Sequence, residues 1–512
     1  MKLSPRENLL SLYRRQGYEY APAEIMLSPA QLRAFTQKTG RPENELAEHF
    51  AFPFRGVQGL REIAAGRAEF LRYYPYGLKP GAGVTGWGVA HEPGGSEASR
   101  HFTRMRHPLA GDVTMDGLAA YPFPRLAGGN EGAQREQAAR IKARGLAAYG
   151  HMSCTVWETA WYMRGMEDLL VDMAEGDEKA AFLLDVVTDY SEKQAAAFAR
   201  AGVDVIALGD DIGMQRAPMM SLALYREYLK PRLARVIRAA REVKPDLLIQ
   251  YHSCGFVEPF LGDLVEVGVD ILNPVQPECM PFADIYAKYG DRLSFNGALG
   301  TQTTRPFGAP EDVRRVVFEN LDIAGDRGGL FVCPTHVVEP EVPWENIEAY
   351  FKACEEYKKN IRNGKAMRFF HAYDLLTDGL ITLRLTGKYP GSGENLPYYY
   401  WDIFSPDGEP AGKISIRIGD NAHSYYNGHI GYEIDEAHRG RHYALRACKL
   451  VLPVARAHGM QRIYMTCGIS NTASRKTIER LGAALAEVAD IPESCCFWRP
   501  GMEKYCVYFL ML

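Results

Sequence analysis

Between about residues 146 and 355 the chain alternates short apolar runs with longer stretches whose apolar positions recur at helical spacing. The runs at 146–150, 203–208, 247–251, 269–272, 293–295 and 329–332 are rich in Leu, Ile, Val and Phe, and each predicts a buried strand. The stretches at 179–201, 222–243, 257–267, 282–289 and 310–324 predict the helices between them. Regular alternation of this kind implies βαβ units and a parallel sheet. Six strands, with room for two more before residue 146, favour a (β/α)8 barrel of the TIM type within the α/β class. A doubly wound open sheet is the runner-up.

The pattern changes after about residue 365. LTGKYPGSGENLPYYYWDIF carries turn residues and then a tyrosine run. KISIRIG and GHIGYEID read as neighbouring antiparallel strands. A helix at 443–457, a strand at 462–467 and a helix at 472–481 follow. A smaller α+β domain is therefore expected after the barrel. With the boundary near 360–372, the domains are drawn at 1–362 and 366–512.

Composition adds limits. A chain of 512 residues is too long for one ordinary core, in keeping with two domains. Net charge is −4, with no basic stripe, so nucleic acid is not an expected partner. No apolar run approaches the roughly 18 residues needed to span a bilayer. The start, MKLSPRENLLSLYRRQGY, reads as a helix capped at Ser4-Pro5-Arg6-Glu7 and not as a signal peptide, so a cytoplasmic location is expected. The ten cysteines are scattered, which suits reduced thiols, a few of them metal ligands or nucleophiles. Cys495 and Cys496 are adjacent and receive no role.

Polar and reactive side chains collect where the predicted barrel strands end. Asp210 and Asp211 follow VIALG, His252 and Cys254 follow LLIQY, and Gln276 lies just past DILNP. Gln302 lies past LSFNG, and Cys333 and His336 come with GGLFV. In a barrel, that end of the strands is the catalytic face. His252 and Cys254 stand two apart, and Cys333 leaves a later strand. One imidazole and two thiolates suit zinc, and three protein ligands leave a position open for substrate. Asp210 and Asp211 are candidates to orient substrate, Gln276 and Gln302 to donate hydrogen bonds to it. Glu158 is expected to line the site, while Trp157 and Trp161 read as core and His336 as a supporting histidine.

The stretches YHSCGFVEPFLGDLVEVGVDILNPVQPECM, RLSFNGALGTQ and GGLFVCPTHVVEPEVPWENIEAYFKA resemble the uroporphyrinogen decarboxylase superfamily, in its corrinoid-linked methyltransferase branch. SPRENLLSLYRRQGYEYAP and GDDIGMQRAPMMSLALYREYLKPR fit as well, so the resemblance covers roughly residues 1–360. The branch's His-x-Cys…Cys zinc motif falls on His252, Cys254 and Cys333. The resemblance implies methyl transfer between a corrinoid protein and a small-molecule donor or acceptor. No corrinoid-binding Asp-x-His-x-x-Gly motif occurs in the chain, so the corrinoid is expected on a separate protein. The Arg-Gln-Ala-Gly-Arg-Tyr segment of true decarboxylases is reduced here to Arg15-Gln16-Gly17-Tyr18, which makes a carboxy-lyase the second choice.

Residues 366–512 resemble a GNAT-type acetyltransferase. The Arg-x-x-Gly-x-Ala loop corresponds to Arg439, Gly440, Arg441, His442, Tyr443 and Ala444, and the Asn-x-x-Ser…Leu-Gly pattern to Asn471, Ser474, Leu481 and Gly482. The resemblance implies acetyl-CoA with its pyrophosphate on that loop and helix start, and an amine acceptor. Glu433 is the candidate general base. Two positions depart from the pattern: His442 replaces the loop's central glycine, and Ile478 stands where a general-acid tyrosine is common, with Tyr505 a candidate substitute. A CoA-binding sensor without turnover is the rival reading.

Overall fold

The computed structural model describes residues 3–94, 103–362, 369–370, 373–389, 391, 395–421, 423–458, 460–493, 495 and 498–512. Part of the expected boundary segment, 363–368, and Cys496 lie outside the described residues. The chain divides into two units, Met1–Lys359 and Asn360–Leu512.

The first unit is built on seven parallel strands: β1 (Phe54–Val57), β2 (Ala147–Ser153), β3 (Val205–Gly209), β4 (Leu248–His252), β5 (Ile271–Asn273), β6 (Ser294–Leu299) and β7 (Leu330–Pro334). They pair in sequence order, each beside the next. Their apolar residues are buried on both faces, Val205, Ile206, Leu208, Ile249, Tyr251, Ile271, Phe295 and Phe331 among them. The mostly parallel, curled sheet with covering helices is a TIM-like barrel. Of the two strands expected before residue 146, one is β1. The place of the other is taken by an extended stretch at Leu27, which bridges Val338 in parallel just past β7.

The pairing aligns the strand ends. Ser153 pairs with Gly209, Gly209 with His252, and His252 with Asn273, so four consecutive strands deliver one residue each to a single row. Gly209 is required there, since a Cβ would stand 2.8 Å from the His252 Cβ. The helix expected over 222–243 is interrupted by a π-turn at Tyr225–Leu229 before Lys230–Arg241. Pro231 has no N–H to give Glu227, and its ring crowds that carbonyl.

The second unit pairs β8 (Leu375–Thr377), β9 (Thr382–Tyr389), β10 (Tyr398–Phe404), β11 (Pro410–Arg417) and β12 (Ile430–Ile434) antiparallel, with β13 (Arg462–Gly468), β14 (Ala484–Ala489) and β15 (Tyr505–Met511) in a three-stranded sheet. The two sheets touch at His429, whose N–H donates to the Tyr464 carbonyl at 2.7 Å while its Nδ1 accepts from the Tyr464 N–H at 2.8 Å. Helices α1 (Tyr443–Ala457) and α2 (Thr472–Arg480) follow β12 and β13. The core joins Tyr399, Trp401, Ile403, Ile414, Val451, Val454, Ile463 and Met465.

Candidate functional site

At the C-terminal ends of the barrel strands lies a cavity of about 360 Å³. The chain leaves β3 through Asp210 and Asp211 and leaves β4 through His252 into a tight loop. Asp211 Oδ1 accepts the Cys254 N–H at 2.7 Å and lies 3.7 Å from His252 Nε2. Cys254 Sγ is 3.6 Å from the same nitrogen. These three donor atoms all lie within 4.8 Å of one another, and they form a group able to hold a metal ion.

The His252 ring is aimed from behind. Its Nδ1 is 2.5 Å from Asn273 Oδ1. The Asn273 amide nitrogen donates onward to Asn296, at 2.6 Å to the side-chain oxygen and 2.9 Å to the carbonyl. With that amide facing this way, Nδ1 carries the proton and Nε2 keeps its lone pair toward Asp211 and Cys254.

Cys333 lines the same cavity from the end of β7, but its thiol donates to Asn296 Oδ1 at 3.1 Å. It stands outside the 4.8 Å group. The expected His252–Cys254–Cys333 triad is therefore not gathered at one point. Two halves, His252 with Cys254 and Asp211, and Cys333 with Glu24, are joined through Asn273 and Asn296. Glu24 is hydrogen-bonded to Asn296 and Cys333, and burial pushes its carboxyl up to about 7. Asn296 also donates to the buried Tyr13 hydroxyl at 2.9 Å.

Burial raises the thiol of Cys254 to about 12 and that of Cys333 well above its ordinary range. The Arg305 guanidinium pulls Cys333 back down. Both thiols thus keep their protons until a cation enters. A divalent metal reverses that preference, because a coordinated thiol gives up its proton. The Cys254 thiol, the His252 imidazole free at Nε2 and the Asp211 carboxyl, gathered at the strand ends with the Cys333 thiol on the neighbouring cavity wall, make a donor set that fits zinc.

The other sequence candidates are placed as follows. Asp210 is spent on the backbone: its carboxylate accepts from the Val156 and Glu158 N–H groups at 3.1 and 2.9 Å, at the start of the helix Trp157–Arg164. It is buried and does not line the cavity. Gln276 Oε1 accepts the Gly255 N–H at 2.6 Å and so braces the loop after His252, where Gly255 takes a left-handed φ of +85°. Gln302 lies in an exposed pair with Gln215 at 3.0 Å. Neither glutamine lines the cavity, because each is engaged by a neighbouring loop. Glu158 does line it, accepts the Tyr162 hydroxyl at 2.7 Å, and is raised by burial. His336 lines its exposed edge, and Trp157 is core.

Glu24, Asn273, Asn296 and Arg305 were not anticipated. A signal existed for the two asparagines, which close ILN and sit in SFNG at strand ends. None existed for Glu24, in an irregular stretch 228 residues upstream of His252.

In the second unit a cleft of about 630 Å³ opens beside β12 and the starts of α1 and α2. Glu433, Arg439, Gly440, His442, Tyr443, Ala444, Asn471 and Ser474 line it. Arg441, expected with them, does not, being exposed beyond the turn. Asn471 Oδ1 caps α2 by accepting the Ser474 N–H at 3.0 Å. His442 adopts the left-handed conformation that suits a glycine, φ 61°, and Arg480 Nη1 is 3.3 Å from its Nδ1. Tyr432, Lys476 and Arg480 were not singled out, although Lys476 and Arg480 are four apart on α2 and so share a face. The Tyr432 hydroxyl donates to Ser474 Oγ at 3.2 Å, and burial pushes it up to about 12. Ile478 is buried, and Tyr505 is not among the cleft residues. Among the described residues, no helix is long and apolar enough to cross a membrane.

Comparison with known proteins agrees with this division. Residues 148–357 match the model of the uroporphyrinogen decarboxylase (URO-D) family, and residues 347–484 match an acetyltransferase (GNAT) domain. A curated relative, methylcobamide:CoM methyltransferase MtaA of Methanosarcina barkeri, is 28% identical over 175 residues, 34% of this chain. The match spans about half of that relative, 48% of its length. A methyltransferase structure from Methanosarcina mazei aligns at TM-score 0.47 with 18% identity, over 70% of this chain and 99% of its own. Ribosomal-protein-S5-alanine acetyltransferase from Vibrio fischeri aligns at TM-score 0.19 with 19% identity, over 22% of this chain and 61% of its own. The chain thus pairs a stretch that matches the uroporphyrinogen decarboxylase family model and is similar to a methylcobamide:CoM methyltransferase with a following stretch that matches a GNAT acetyltransferase domain.

Proposed function

We propose that the first domain, drawn at 1–362, transfers a methyl group between a corrinoid held by a separate protein and a small thiol, with zinc as its metal. The gathering of Asp211, His252 and Cys254 at the strand ends, with Cys333 lining the cavity that Asp211 and His252 also line, carries this reading. Bound to His252, Cys254 and Cys333, zinc supplies the Lewis acidity that keeps a substrate thiol ionised at neutral pH. The rest belongs to the chain. Asn273 holds His252 in the tautomer that frees Nε2. Asp211 fixes Cys254 through its backbone N–H. Glu158, with Tyr162, is an acceptor for a proton leaving the substrate thiol.

Zinc content of the whole chain, beside Cys254→Ala and Cys333→Ala, tests the reading. About one zinc per chain, lost in both variants while the fold survives, is expected, followed by methyl transfer from methylcobalamin to a thiol. Wild-type protein prepared without chelator that holds no zinc overturns it and moves the carboxy-lyase reading ahead.

For the second domain, drawn at 366–512, the reading is acyl transfer from acetyl-CoA to an amine. The helix starts of α1 and α2 with Arg439, Lys476 and Arg480 suit the pyrophosphate. Glu433 is the base for the ammonium, through a water where the amine stands off. His442 at the loop centre and buried Ile478 favour a second reading, a domain that binds CoA without turnover. Acetylation of any primary amine decides for transfer. CoA binding without turnover across a panel of amines decides for sensing.

A further inference from the structure

A second cavity in the first unit, of about 310 Å³, lies between the end of β2 and the helix Glu178–Ala201. It adjoins the cavity at the strand ends: His151, Ser153 and Cys154 line both. Cys154 turns the chain at this shared wall in a left-handed conformation, φ 60°, which a residue with a side chain adopts only where its surroundings impose it. Another wall is Trp87, in the turn between the strands Gly83–Val84 and Ala90–Glu92. That turn is held in place. The Tyr121 hydroxyl donates to the Trp87 carbonyl at 2.7 Å, and the indole meets the Tyr190 ring edge-on with centroids 4.9 Å apart. Tyr190 in turn donates its hydroxyl to Glu62 at 2.7 Å.

The polar groups of this compartment are nearly all spent. Thr155, Thr159 and Ser191 donate their hydroxyls to the carbonyls of Met152, Cys154 and Thr155. Gln194 is the exception. It is 7% exposed, and its Oε1 accepts the Leu60 N–H at 2.9 Å, which fixes which end of the amide is oxygen. The amide nitrogen is buried and has no hydrogen-bond partner among the described residues. A buried donor left unmade is costly, so a group that supplies an acceptor there is favoured. None of the described residues lining the compartment is Asp, Glu, Lys or Arg. Burial also holds the His151 ring toward its neutral form. A charged ligand would lose its hydration without gaining a counter-charge, whereas an uncharged acceptor would not.

We propose that this compartment is a subsite for an uncharged carboxamide carried by one of the two reactants, its oxygen accepting from the Gln194 amide and its flat face set against Trp87 and Tyr190. Two sources share that chemistry. A corrinoid carries carboxamide arms around its rim, and a methyl transferred into the neighbouring cavity brings that rim close to the shared wall. A small thiol can instead carry the amide in its tail. The assignment to a reactant rests on the methyl-transfer reading; the binding of a carboxamide does not.

The test uses benzamide, benzoate and benzylamine, which are alike in size and differ in charge. Ligand-observed NMR reads their binding to the whole chain in excess chelator, in wild type, Gln194→Met and Gln194→Glu, and melting checks the fold of each variant. Wild type should bind benzamide in preference to both charged probes. Gln194→Met keeps the length and removes the donor, and should weaken benzamide about two- to tenfold, the worth of one net hydrogen bond. Gln194→Glu still serves the Leu60 N–H; in mildly alkaline buffer its carboxylate should turn the preference to benzylamine. Wild type that binds none of the three, or all three alike, overturns the subsite, as do folded variants that bind benzamide as wild type does. The source is then read from methyl transfer between methylcobalamin and 2-mercaptoethanol or N-acetylcysteamine in the presence of benzamide. A raised KM for methylcobalamin assigns the subsite to an arm of the corrinoid, and a raised KM for N-acetylcysteamine alone assigns it to the tail of the thiol. Bound benzamide that raises neither overturns the assignment to a reactant. A chain without methyl transfer takes that assignment down with the methyl-transfer reading, and the NMR series decides the subsite separately.

Discussion

Asp210 and Asp211 are adjacent and chemically alike, yet the fold gives them separate tasks, and replacing each by alanine separates them. Asp210→Ala removes the acceptor that serves the N–H groups of Val156 and Glu158 at the start of a buried helix. A buried donor left without a partner costs about 1–3 kcal/mol, and loss of an N-terminal cap alone about 1 kcal/mol. Two such donors on a carboxylate that is 3% exposed give a loss of about 3 kcal/mol. At roughly 2 °C per kcal/mol for a domain of this size, the melting temperature should fall on the order of 6 °C. Metal affinity of the folded protein should be unchanged, since Asp210 is committed to the helix start and stands outside the group of Asp211, His252 and Cys254. Asp211→Ala should do the reverse. Its side chain is 38% exposed, so the chelated protein should melt within about 1 kcal/mol of wild type. The loop carrying Cys254 loses its anchor, and zinc affinity should drop about 10–100-fold. Calorimetry in chelator and competition titration read the two quantities independently. Asp210→Ala that melts like wild type, or that loses zinc as Asp211→Ala does, would refute the division of labour.

Further outcomes follow from the same geometry. Asn273→Ala takes away the partner of His252 Nδ1, and zinc affinity should fall about 10–100-fold; wild-type affinity would mean that the tautomer is set elsewhere. His442→Gly relieves a left-handed residue worth about 1 kcal/mol or more, so the second domain should melt higher and bind CoA at least as tightly by calorimetry. A loss of CoA affinity would assign the imidazole to the phosphates. His429 is fully buried as the neutral ring, donating from Nε2 to the Gly419 carbonyl at 3.0 Å and accepting at Nδ1, and burial lowers its basicity. Its folded-state value lies below the unfolded one, so it contributes stability above about pH 6.5 that is lost as pH falls. Hydrogen exchange of the Tyr464 amide should therefore show less protection below that pH, once corrected for intrinsic rates; His429→Asn should flatten the difference, and an equal pH slope in both proteins would count against it.

Much of the barrel is legible because burial on both faces leaves a plain record. The runs at 203–208 and 247–251 can be little other than core strands, and they are β3 and β4. The record fails where side chains turn polar. The strand expected at 146–150 runs on to Ser153, because His151 and Ser153 belong to the cavity and read as loop. Strands of two or three residues, such as Gly83–Val84 and Arg61–Ile63, hold no period to detect. Reactive side chains at strand ends pointed to the end of the barrel where the cavity lies, but not to which of them face it. The sequence places Asp210 and Asp211 side by side, and only the third dimension assigns one to a helix start and the other to Cys254. Glu24 was illegible for a different reason. It depends on Tyr350 and Asn296, whose positions relative to the N-terminal segment no local pattern encodes.

The choice of asparagine at 273 and 296 has a physical logic. The cavity is already lined by the thiols of Cys154 and Cys333 and the carboxyls of Glu24, Glu158 and Asp211, with the buried Arg305 guanidinium near Cys333. An aspartate at 273 would still accept from His252 Nδ1, but its charge would favour the imidazolium, which cannot bind a metal at Nε2. An amide orients the ring without that charge, and its nitrogen is free to donate to the next member. Asn296 repeats the device: it accepts from Asn273 and from Cys333 and donates to Tyr13. The two halves are thereby held in register by neutral groups alone, and the net charge around the ion is left to the ligands themselves.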